Sequence, residues 1–317
     1  MYLHKKEKRV KREKIGEEEY INVIKTSHFF SRNAISISEK IRSWDPFYFL
    51  SFNLIEKHKE VQFGEIDENI HIVPRDSKYL LLQYKKRNSI DLYEFIYKVG
   101  KKEKLLHIIN SFRSFLHITQ ILLKRDLQHL YFTNDSLLYV KRENRYILGN
   151  MDHVVDSKES LLLFTKKFFP QKVIWPLELH LLSYIQERRL ESISRSNIEE
   201  VYDLVASAEA SLTPFAKSYK KELKDAQLLS FDHLINQSRE KIISWIYDQR
   251  HSWNLYSLSV YYLEIIQNIE DHIGPHPFLN SFSLLIQQTS FKREKIDTFH
   301  KKWEELLYSI TEIEWNN

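Results

Sequence analysis

The sequence contains no cysteine and very little glycine. The absence of cysteine from all 317 residues excludes disulfides, thiolate zinc sites, iron–sulfur clusters and a thiol nucleophile. There are only five glycines, whereas an average composition of ~7% would give roughly 22. No two of them are close enough for the glycine-rich turns that cradle phosphates in dinucleotide-binding and P-loop proteins. A phosphate loop built from glycines is therefore excluded.

A large excess of one charge and long apolar runs are also missing. The chain has 47 Lys and Arg against 43 Asp and Glu, a net charge of +4, which does not by itself argue for a nucleic-acid partner. Charged residues interrupt every apolar stretch well before the length that crosses a bilayer. The N-terminus also lacks the apolar core of a secretory signal. We therefore expect a protein that is not secreted and has no membrane partner.

The basic N-terminal run allows two interpretations. Residues 5–14 read Lys-Lys-Glu-Lys-Arg-Val-Lys-Arg-Glu-Lys. Such a run occurs in nuclear-import and nucleic-acid-binding arms, but the interspersed glutamates are also typical of a solvated, mixed-charge tail. We expect residues 1–19 to form a basic tail, and residues 1–14 to be the part of the chain that could contact nucleic acid.

The rest of the chain has the patterns of a globular α+β protein. Hydrophobic residues make up 43% and charged residues 28%, which is ordinary for a folded domain. Alternating, β-rich segments predict strands, and apolar residues at helical spacing predict helices. The predicted strands are 20–25, 61–63, 71–73, 79–84, 136–140 and 145–149. The predicted helices are 33–42, one beginning near 104, 177–186, 197–210, 216–228, 231–247, 253–268, 278–288 and 295–310.

Seven short motifs follow one another in an order that resembles a protein kinase. In chain order they are Val23-Ile24-Lys25, the segments 79–84, 129–139 and 147–152, Trp175-Pro176-Leu177-Glu178, the segment 252–260, and Phe291-Lys292-Arg293. The likeness extends over about residues 20–310. It is greatest to the divergent kinase-like proteins of large cytoplasmic DNA viruses, which often carry W-P-x-E-x-H-L, as residues 175–181 do.

This resemblance implies a two-lobed kinase-like fold. The N-lobe would be reduced to residues 20–84, and residues 85–317 would form an enlarged, mainly helical C-lobe with an insert at about 186–245. Lys25 would anchor phosphates, Gln83 and Tyr84 would form the hinge beside the nucleotide, and Asp152 would face the nucleotide cleft. An intracellular location, in host cytoplasm or in the virion, also follows from the resemblance.

The residues that would perform phosphoryl transfer are nevertheless replaced. The family motif places a catalytic carboxylate at Tyr131, metal ligands at Ser136 and Asn150, and the glutamate that pairs with the lysine at Ala34. Asn and Ser are poor ligands for Mg²⁺, which prefers carboxylate oxygen, and a phenol with a pKa of ~10 is no base at neutral pH. We therefore expect none of these four positions to be catalytic.

Three acidic residues could restore some of the lost chemistry. Asp152 could serve as a metal ligand if the alignment slipped by two residues, and Glu39 could replace the glutamate missing at position 34. Arg125-Asp126-Leu127 imitates a catalytic motif, but an acid at Asp126 would displace the following metal position and hairpin. Asp126 is therefore rejected, while Asp152 and Glu39 stay open under an alternative in which the chain is an atypical Ser/Thr kinase that uses ATP and Mg²⁺.

Four further positions are expected to be structural. His129 should be a packed histidine, and Glu178 should pair with Arg293. Asn254 occupies the place of an aspartate that holds the backbone of the catalytic loop in the family. It keeps a hydrogen-bond acceptor there and loses the charge.

The sequence as a whole predicts a pseudokinase, with no metal or other cofactor expected. It would act as a scaffold or regulator by binding another protein, such as a viral protein or an active kinase. The alternatives are the atypical Ser/Thr kinase described above and a structural virion component or nucleoprotein.

Overall fold

The computed structural model describes residues 8–15, 18–26, 29–41, 48–50, 53–56, 79–85, 89–170, 175–209, 228–292 and 294–309. These residues form a mixture of helices and small antiparallel sheets, which confirms the predicted α+β class. The predicted strands 61–63 and 71–73 lie outside the described residues, and so does the predicted helix 216–228 except for its last residue.

Contacts between Cα atoms divide the chain into two compact units. The first unit comprises Met1–Phe95 and Asn134–Val154, and the second comprises Ile96–Thr133 and Val155–Asn317. This grouping places the strands predicted near 136–149 with the N-terminal part of the chain. The predicted division into an N-lobe and a C-lobe stays a prediction.

The main sheet of the first unit has four strands. They are β1 (Lys8–Ile15), β2 (Glu18–Thr26), β3 (Asn53–Glu56) and β4 (Tyr79–Lys85), and their spatial order is β1-β2-β4-β3. All neighbouring pairs are antiparallel. Helix α1 (Phe29–Ile41) lies between β2 and β3 in the chain. The predicted strands at 20–25 and 79–84 and the predicted helix at 33–42 are therefore confirmed.

Strand β1 departs from the expected tail. Residues 8–15 pair with β2 through most of their length, with an irregularity between Arg9 and Lys11. Pairing satisfies the backbone groups of β2 on its outer side, which local sequence patterns do not reveal. Lys and Arg dominate β1, as is common in edge strands, where charge opposes pairing with other chains.

A second, three-stranded sheet of the first unit contains the predicted hairpin. Its strands are β5 (Ser89–Asp91), β7 (Leu137–Val140) and β8 (Arg145–Leu148), in the order β5-β7-β8. Strand β6 (Gln128–His129) precedes the hairpin in the chain, and β9 (Val154–Val155) follows it. Helix α2 (Leu92–Lys98) begins directly after β5, and the Asp91 carboxylate accepts a hydrogen bond from the Glu94 N–H at 2.7 Å. Asp91 thus caps the N-terminus of α2.

The second unit is built mainly from helices. They are α3 (Lys101–Lys124), α4 (Lys158–Phe164), α5 (Leu177–Arg188), α6 (Arg195–Glu209), α7 (Arg239–Asp248), α8 (Trp253–Ile273), α9 (Pro277–Lys292) and α10 (Ile296–Tyr308). The predicted helix 231–247 is wrong in one respect. A short 3-10 turn covers Asp232–Leu234, and α7 starts only at Arg239. Asn236 between them has a left-handed backbone with φ of 59°, which interrupts the helix.

Aromatic packing fixes the core of the second unit. The Phe112 ring on α3 lies 4.8 Å from Tyr262 on α8, 4.7 Å from Phe282 on α9 and 4.8 Å from Trp303 on α10, centroid to centroid. All four rings are buried. Edge-to-face contacts of this kind add about 0.5–1.5 kcal/mol each beyond simple burial. The four helices are therefore held together around one residue, and α3 and α8 in turn position the candidate site.

No helix in the described part of the chain is long and apolar enough to cross a membrane.

Candidate functional site

The candidate site begins where α3 ends. Asp126 has a left-handed backbone with φ of 57°. The Asp126 N–H donates to the Leu123 carbonyl at 3.0 Å, and the Leu127 N–H donates to the Leu122 carbonyl at 2.9 Å. These two bonds form a Schellman motif, the usual way to satisfy the last carbonyls of a helix. Asp126 therefore occupies a helix-stop position normally taken by Gly or Asn.

The Asp126 carboxylate is engaged at the surface of the second unit. The Arg250 Nε donates to its Oδ1 at 2.9 Å, and the Arg250 guanidinium lies 4.4 Å from the centre of the Tyr247 ring. This bond raises the pKa of Arg250 further. Asp126 thus acts as a partner for Arg250 in the folded chain. The two are 124 residues apart in the sequence, and no motif or spacing indicated the pair.

Asn254 holds the backbone of the segment that follows. Its Oδ1 accepts a hydrogen bond from the His129 N–H at 2.6 Å, and its Nδ2 donates to the Leu127 carbonyl at 3.1 Å. The side chain is only 2% exposed. One bond needs an acceptor and the other a donor, and the neutral amide supplies both, whereas an ionised carboxylate would supply only the acceptor. Asn254 at the start of α8 therefore fixes residues 127–129 without any charge.

His129 and Phe132 form the packed centre of this loop. Both are fully buried, and their rings stack with centroids 4.5 Å apart and planes 5° apart. Leu130 between them is fully buried as well. In a densely packed interior these side chains set the path of the loop, and the packing of His129 is that of a structural residue.

Tyr131 is half-buried, and its environment opposes ionisation. Burial, and secondarily the negative charge of Glu264 on α8, raise the pKa of the phenol above its usual value of 10.0. Burial also raises the pKa of the Glu264 carboxyl, although much of that side chain is exposed. A phenol whose pKa is raised stays protonated at neutral pH, so it has no free base to offer there. The environment of Tyr131 therefore opposes a role as general base.

The hairpin of the first unit contains Ser136, where the kinase resemblance would place a metal ligand. Ser136 is fully buried, and its carbonyl accepts a hydrogen bond from the Gly149 N–H at 2.7 Å. A Cβ on Gly149 would lie 3.0 Å from the Leu138 Cδ1 and 3.2 Å from the Asp135 carbonyl oxygen. The glycine therefore permits the close approach of the two ends of the hairpin, which is a structural reason for its presence.

Asn150 directly follows this contact. It has a left-handed backbone with φ of 53° and precedes the 3-10 turn Met151–His153. Asn is one of the few residues that adopt this conformation readily. Met151 is fully buried, whereas Asp152 is half-buried. Backbone conformation thus gives a reason for an asparagine at position 150 that requires no metal.

Helix α1 provides a polar contact that the motif alignment did not indicate. Ala34 is fully buried. Its neighbour Asn33 is also buried and donates from Nδ2 to the Val154 carbonyl. Glu39, the possible replacement for the lost glutamate, is exposed one turn further along. The helix is therefore tied to the segment after Asn150 by a neutral amide.

The strand register relates the predicted nucleotide-binding residues of the main sheet to their neighbours. Lys25 on β2 lies opposite Leu80 on β4, and Asn22 lies opposite Gln83. Whether Lys25, Gln83 and Tyr84 contribute to one nucleotide site stays a prediction.

Glu178 and Arg293, which are predicted to pair, lie further along the chain. Glu178 is buried in the first turn of α5, with 3% of its surface exposed. Arg293 lies outside the described residues, so the predicted pair between them stays a prediction.

The described part of the predicted insert packs onto α5. Tyr184 on α5 donates from its hydroxyl to the Glu200 carboxylate at 2.6 Å, and the Arg188 guanidinium contacts the same carboxylate at 2.8 Å. Ile198, Val201 and Val205 on the same helix as Glu200 are buried. Helix α6 is therefore an ordered support for the second unit. Whether the insert also presents a partner surface stays a prediction.

The described residues contain no group of three His, Asp or Glu side chains placed to hold a metal ion. No protein-family model matches the chain, and no curated protein matches it.

Proposed function

We propose that this chain is a catalytically inactive homologue of the protein kinases that acts by binding another protein, as a scaffold or a regulator. The observation that carries the proposal is the pair of hydrogen bonds at Asn254, which donates to the Leu127 carbonyl and accepts from the His129 N–H. A loop in the sequence position of a catalytic loop is held firmly in place, and a neutral amide holds it.

An aspartate at position 254 could not make the same contacts. It would still accept from the His129 N–H, but an ionised carboxylate would face the Leu127 carbonyl oxygen instead of donating to it. Burying a carboxylate against an acceptor is costly. This part of the chain is therefore adapted to the loss of charge, as expected when no charged reaction has to be supported.

The replaced positions support the same conclusion. Phosphoryl transfer requires Mg²⁺ and a carboxylate that orients the acceptor hydroxyl. Tyr131 has a raised pKa, Ser136 is buried and Asn150 has a backbone conformation that suits asparagine. Each position has a structural explanation that needs neither metal nor nucleotide.

The order of elements adds support for a kinase-like ancestry. The strand with Lys25 is followed by α1, by strands β3 and β4, by the long helix α3 and then by the β7–β8 hairpin. This is the order that the motifs imply for a kinase with a shortened N-terminal sheet. By the same resemblance we propose a viral protein of the host cytoplasm or the virion.

Thermal unfolding with and without MgATP tests the loss of nucleotide handling. We expect the melting temperature to be unchanged by ATP, whether or not Mg²⁺ is present. A nucleotide at 100 times its Kd would stabilise the folded chain by about 2.7 kcal/mol, a shift of several degrees. A shift that requires Mg²⁺ and is abolished by Lys25→Met would contradict the proposal.

Radiolabelled phosphate transfer separates the proposal from the alternative of an atypical kinase. We expect no autophosphorylation and no transfer to a generic acceptor protein. Transfer that is lost in Asp152→Ala and retained in Asp126→Ala would instead establish the alternative. Asp126→Ala is the matched control because Asp126 pairs with Arg250 at the surface.

A further inference from the structure

Helix α9 is almost free of charge. Residues 272–291 form the longest stretch of the chain without Asp, Glu, Lys or Arg, although these residues make up 28% of the whole sequence. All of α9 except its last residue falls within this stretch. The exposed side of a surface helix usually carries charged residues, whereas the core of a protein–protein interface is depleted of them. The composition of α9 is therefore that of an interface helix.

Ring contacts show which side of α9 faces the core of the second unit. Phe282 lies 4.7 Å from Phe112 and 4.8 Å from Trp303, centroid to centroid, and Phe278 lies 6.0 Å from Trp303. Phe278, Phe282 and Ile286 are all buried, and residues four apart lie on the same side of a helix. This side of α9 therefore packs against α3 and α10, and the opposite side is left to solvent.

The solvent side of α9 is centred on Leu284. Helix geometry places Asn280, Ser281, Gln287 and Gln288 within about 60° of Leu284 around the axis. Leu284 is 58% exposed, Asn280, Ser281 and Gln288 are exposed, and Gln287 is partly exposed. The α9 face, defined as these five residues, is thus a neutral polar strip with a leucine in its middle.

The helices that pack against α9 carry the charges that it lacks. Glu264 on α8 is exposed, as are Asp297, Lys301 and Glu305 on α10. On α10 the lysine lies four residues from each acid, a spacing at which opposite charges attract. None of these charges belongs to the α9 face. A neutral strip whose neighbouring helices are charged agrees with the uncharged core and polar rim of an interface.

We propose that the α9 face binds the same face of a second copy of the chain, with the two helices antiparallel about a two-fold axis at Leu284. Leu284 lies at the middle of α9, so this arrangement sets the two leucines against each other. Asn280 and Ser281 of each copy then lie opposite Gln288 and Gln287 of the other, and amides and hydroxyls can both donate and accept.

The neutrality of the face favours a second copy over a charged partner. In a two-fold contact the same patch of both copies meets itself, so a charged residue near the axis would face a like charge. The α9 face contains no such residue. It also offers no charge that would select an acidic or a basic partner. An uncharged, self-complementary strip therefore suits its own copy.

The size of the α9 face sets the expected strength of the contact. Helix α9 has 16 residues, which makes it about 24 Å long and about 10 Å wide. A strip of that size is smaller than the ~800 Å² that each partner buries in a stable complex. We therefore expect a reversible dimer with a Kd of about 10 µM to 1 mM. The inference goes beyond the proposed function and does not depend on it.

A single introduced thiol tests the position of the axis. The chain has no cysteine, so Leu284→Cys carries the only thiol. Two cysteines form a disulfide only when their Cα atoms lie within about 7 Å, a condition that a residue on the axis meets. Under mild oxidation we expect Leu284→Cys to form a covalent dimer at least about tenfold faster than Leu163→Cys or Leu106→Cys. These control leucines are 51% and 47% exposed on α4 and α3.

Sedimentation equilibrium of the full chain over about 5–500 µM measures the association itself. Leu284→Glu places two carboxylates at the axis, so we expect it to raise the Kd of the dimer by at least about tenfold. Leu163→Glu makes the same change at a leucine of similar exposure and should dimerise as the unaltered chain does.

Three results would overturn the proposal. The first is a monomer at every concentration, and the second is a dimer that Leu284→Glu leaves unchanged. The third is cross-linking of Leu284→Cys that is no faster than that of the two controls, which would place the contact elsewhere. A MgATP-dependent thermal shift bears on the proposed function alone and leaves this result unaffected.

Discussion

Two anchors on neighbouring elements hold the same loop by opposite means. Asn254 is 2% exposed and holds residues 127 and 129 through a neutral amide. Arg250 holds the preceding residue, Asp126, through an ion pair whose side chains are 28% and 55% exposed. The buried anchor is neutral, and the charged anchor lies where water can solvate it.

The difference follows from the cost of burying charge. An ion at the surface keeps most of its hydration and contributes at most about 1 kcal/mol through a partner. A buried ion loses that hydration and needs full compensation. Under the proposed function, no metal ion or phosphate supplies such compensation. We therefore expect neutral groups at the buried positions of this loop and charged groups at its surface, as Asn254 and the Asp126–Arg250 pair are arranged.

The largest expected effect comes from removing the buried amide of Asn254. Asn254→Leu leaves the His129 N–H and the Leu127 carbonyl buried without their partner in α8. Each unsatisfied group costs about 1–3 kcal/mol, so the free energy of unfolding should fall by about 2–6 kcal/mol. The midpoint of urea unfolding measures it.

Asn268→Leu is the matched control for this variant. Asn268 lies on the same helix, is exposed and donates to the Glu264 carbonyl at 2.8 Å. Its replacement should change stability by less than about 0.5 kcal/mol, as is usual at the surface. Equal losses in the two variants would mean that the buried amide does not anchor the loop.

The next largest effect tests whether the side chain at position 254 has to be neutral. Asn254→Asp keeps the acceptor for His129 and loses the donor to Leu127, so we expect a loss of about 1–3 kcal/mol at neutral pH. Burial should raise the pKa of the new carboxyl above its unfolded value. The protonated form can donate to the carbonyl, so the variant should approach the stability of the unaltered chain at low pH and lose it as the pH rises through the folded pKa.

Denaturant unfolding at several pH values measures how the stability of Asn254→Asp depends on pH. The difference in unfolding free energy between Asn254→Asp and the unaltered chain should widen from acid to neutral pH. A difference that stays constant, or that narrows as the pH rises, would show that an aspartate is accommodated as an ion at this position.

A smaller effect separates backbone strain from the ion pair at Asp126. Asp126→Ala removes the pair with Arg250 and places alanine at a φ of 57°, so we expect a loss of about 1–2 kcal/mol. Asp126→Gly removes the same pair but suits the left-handed backbone, and it should change stability by less than about 0.5 kcal/mol. If both variants lose the same amount in thermal unfolding, the ion pair dominates and the helix stop does not.

The sequence predicted local features of this loop better than long-range contacts. The β7–β8 hairpin, the helix before it and the helix that begins near Trp253 all have strong periodicity and clear turn residues. The rejection of Asp126 as a catalytic acid also came from spacing alone, and its left-handed backbone gives it a different role.

Contacts across the chain could not be predicted because they have no local pattern. The bond from Asn33 to the Val154 carbonyl joins residues 121 apart, and because asparagine also favours turns, its presence alone does not indicate a buried contact. Strand β1 was missed for a related reason, since a charged edge strand and a charged tail have the same composition. Pairing partners decide between them.

The smallest effect concerns Glu264 on α8, whose charge acts on Tyr131. Burial raises the pKa of the Glu264 carboxyl, and the charge of Glu264 contributes to the raised pKa of Tyr131. An acid whose pKa is raised in the folded state destabilises that state when ionised. Glu264→Gln should therefore be slightly more stable than the unaltered chain at neutral pH and equal to it well below the unfolded pKa of the carboxyl. Because much of the side chain is exposed, solvent screening keeps the gain in stability small.

Urea unfolding at acid and neutral pH measures this gain. If Glu264→Gln were less stable than the unaltered chain at neutral pH, Glu264 would have a favourable partner at this loop, and its charge would stabilise the loop.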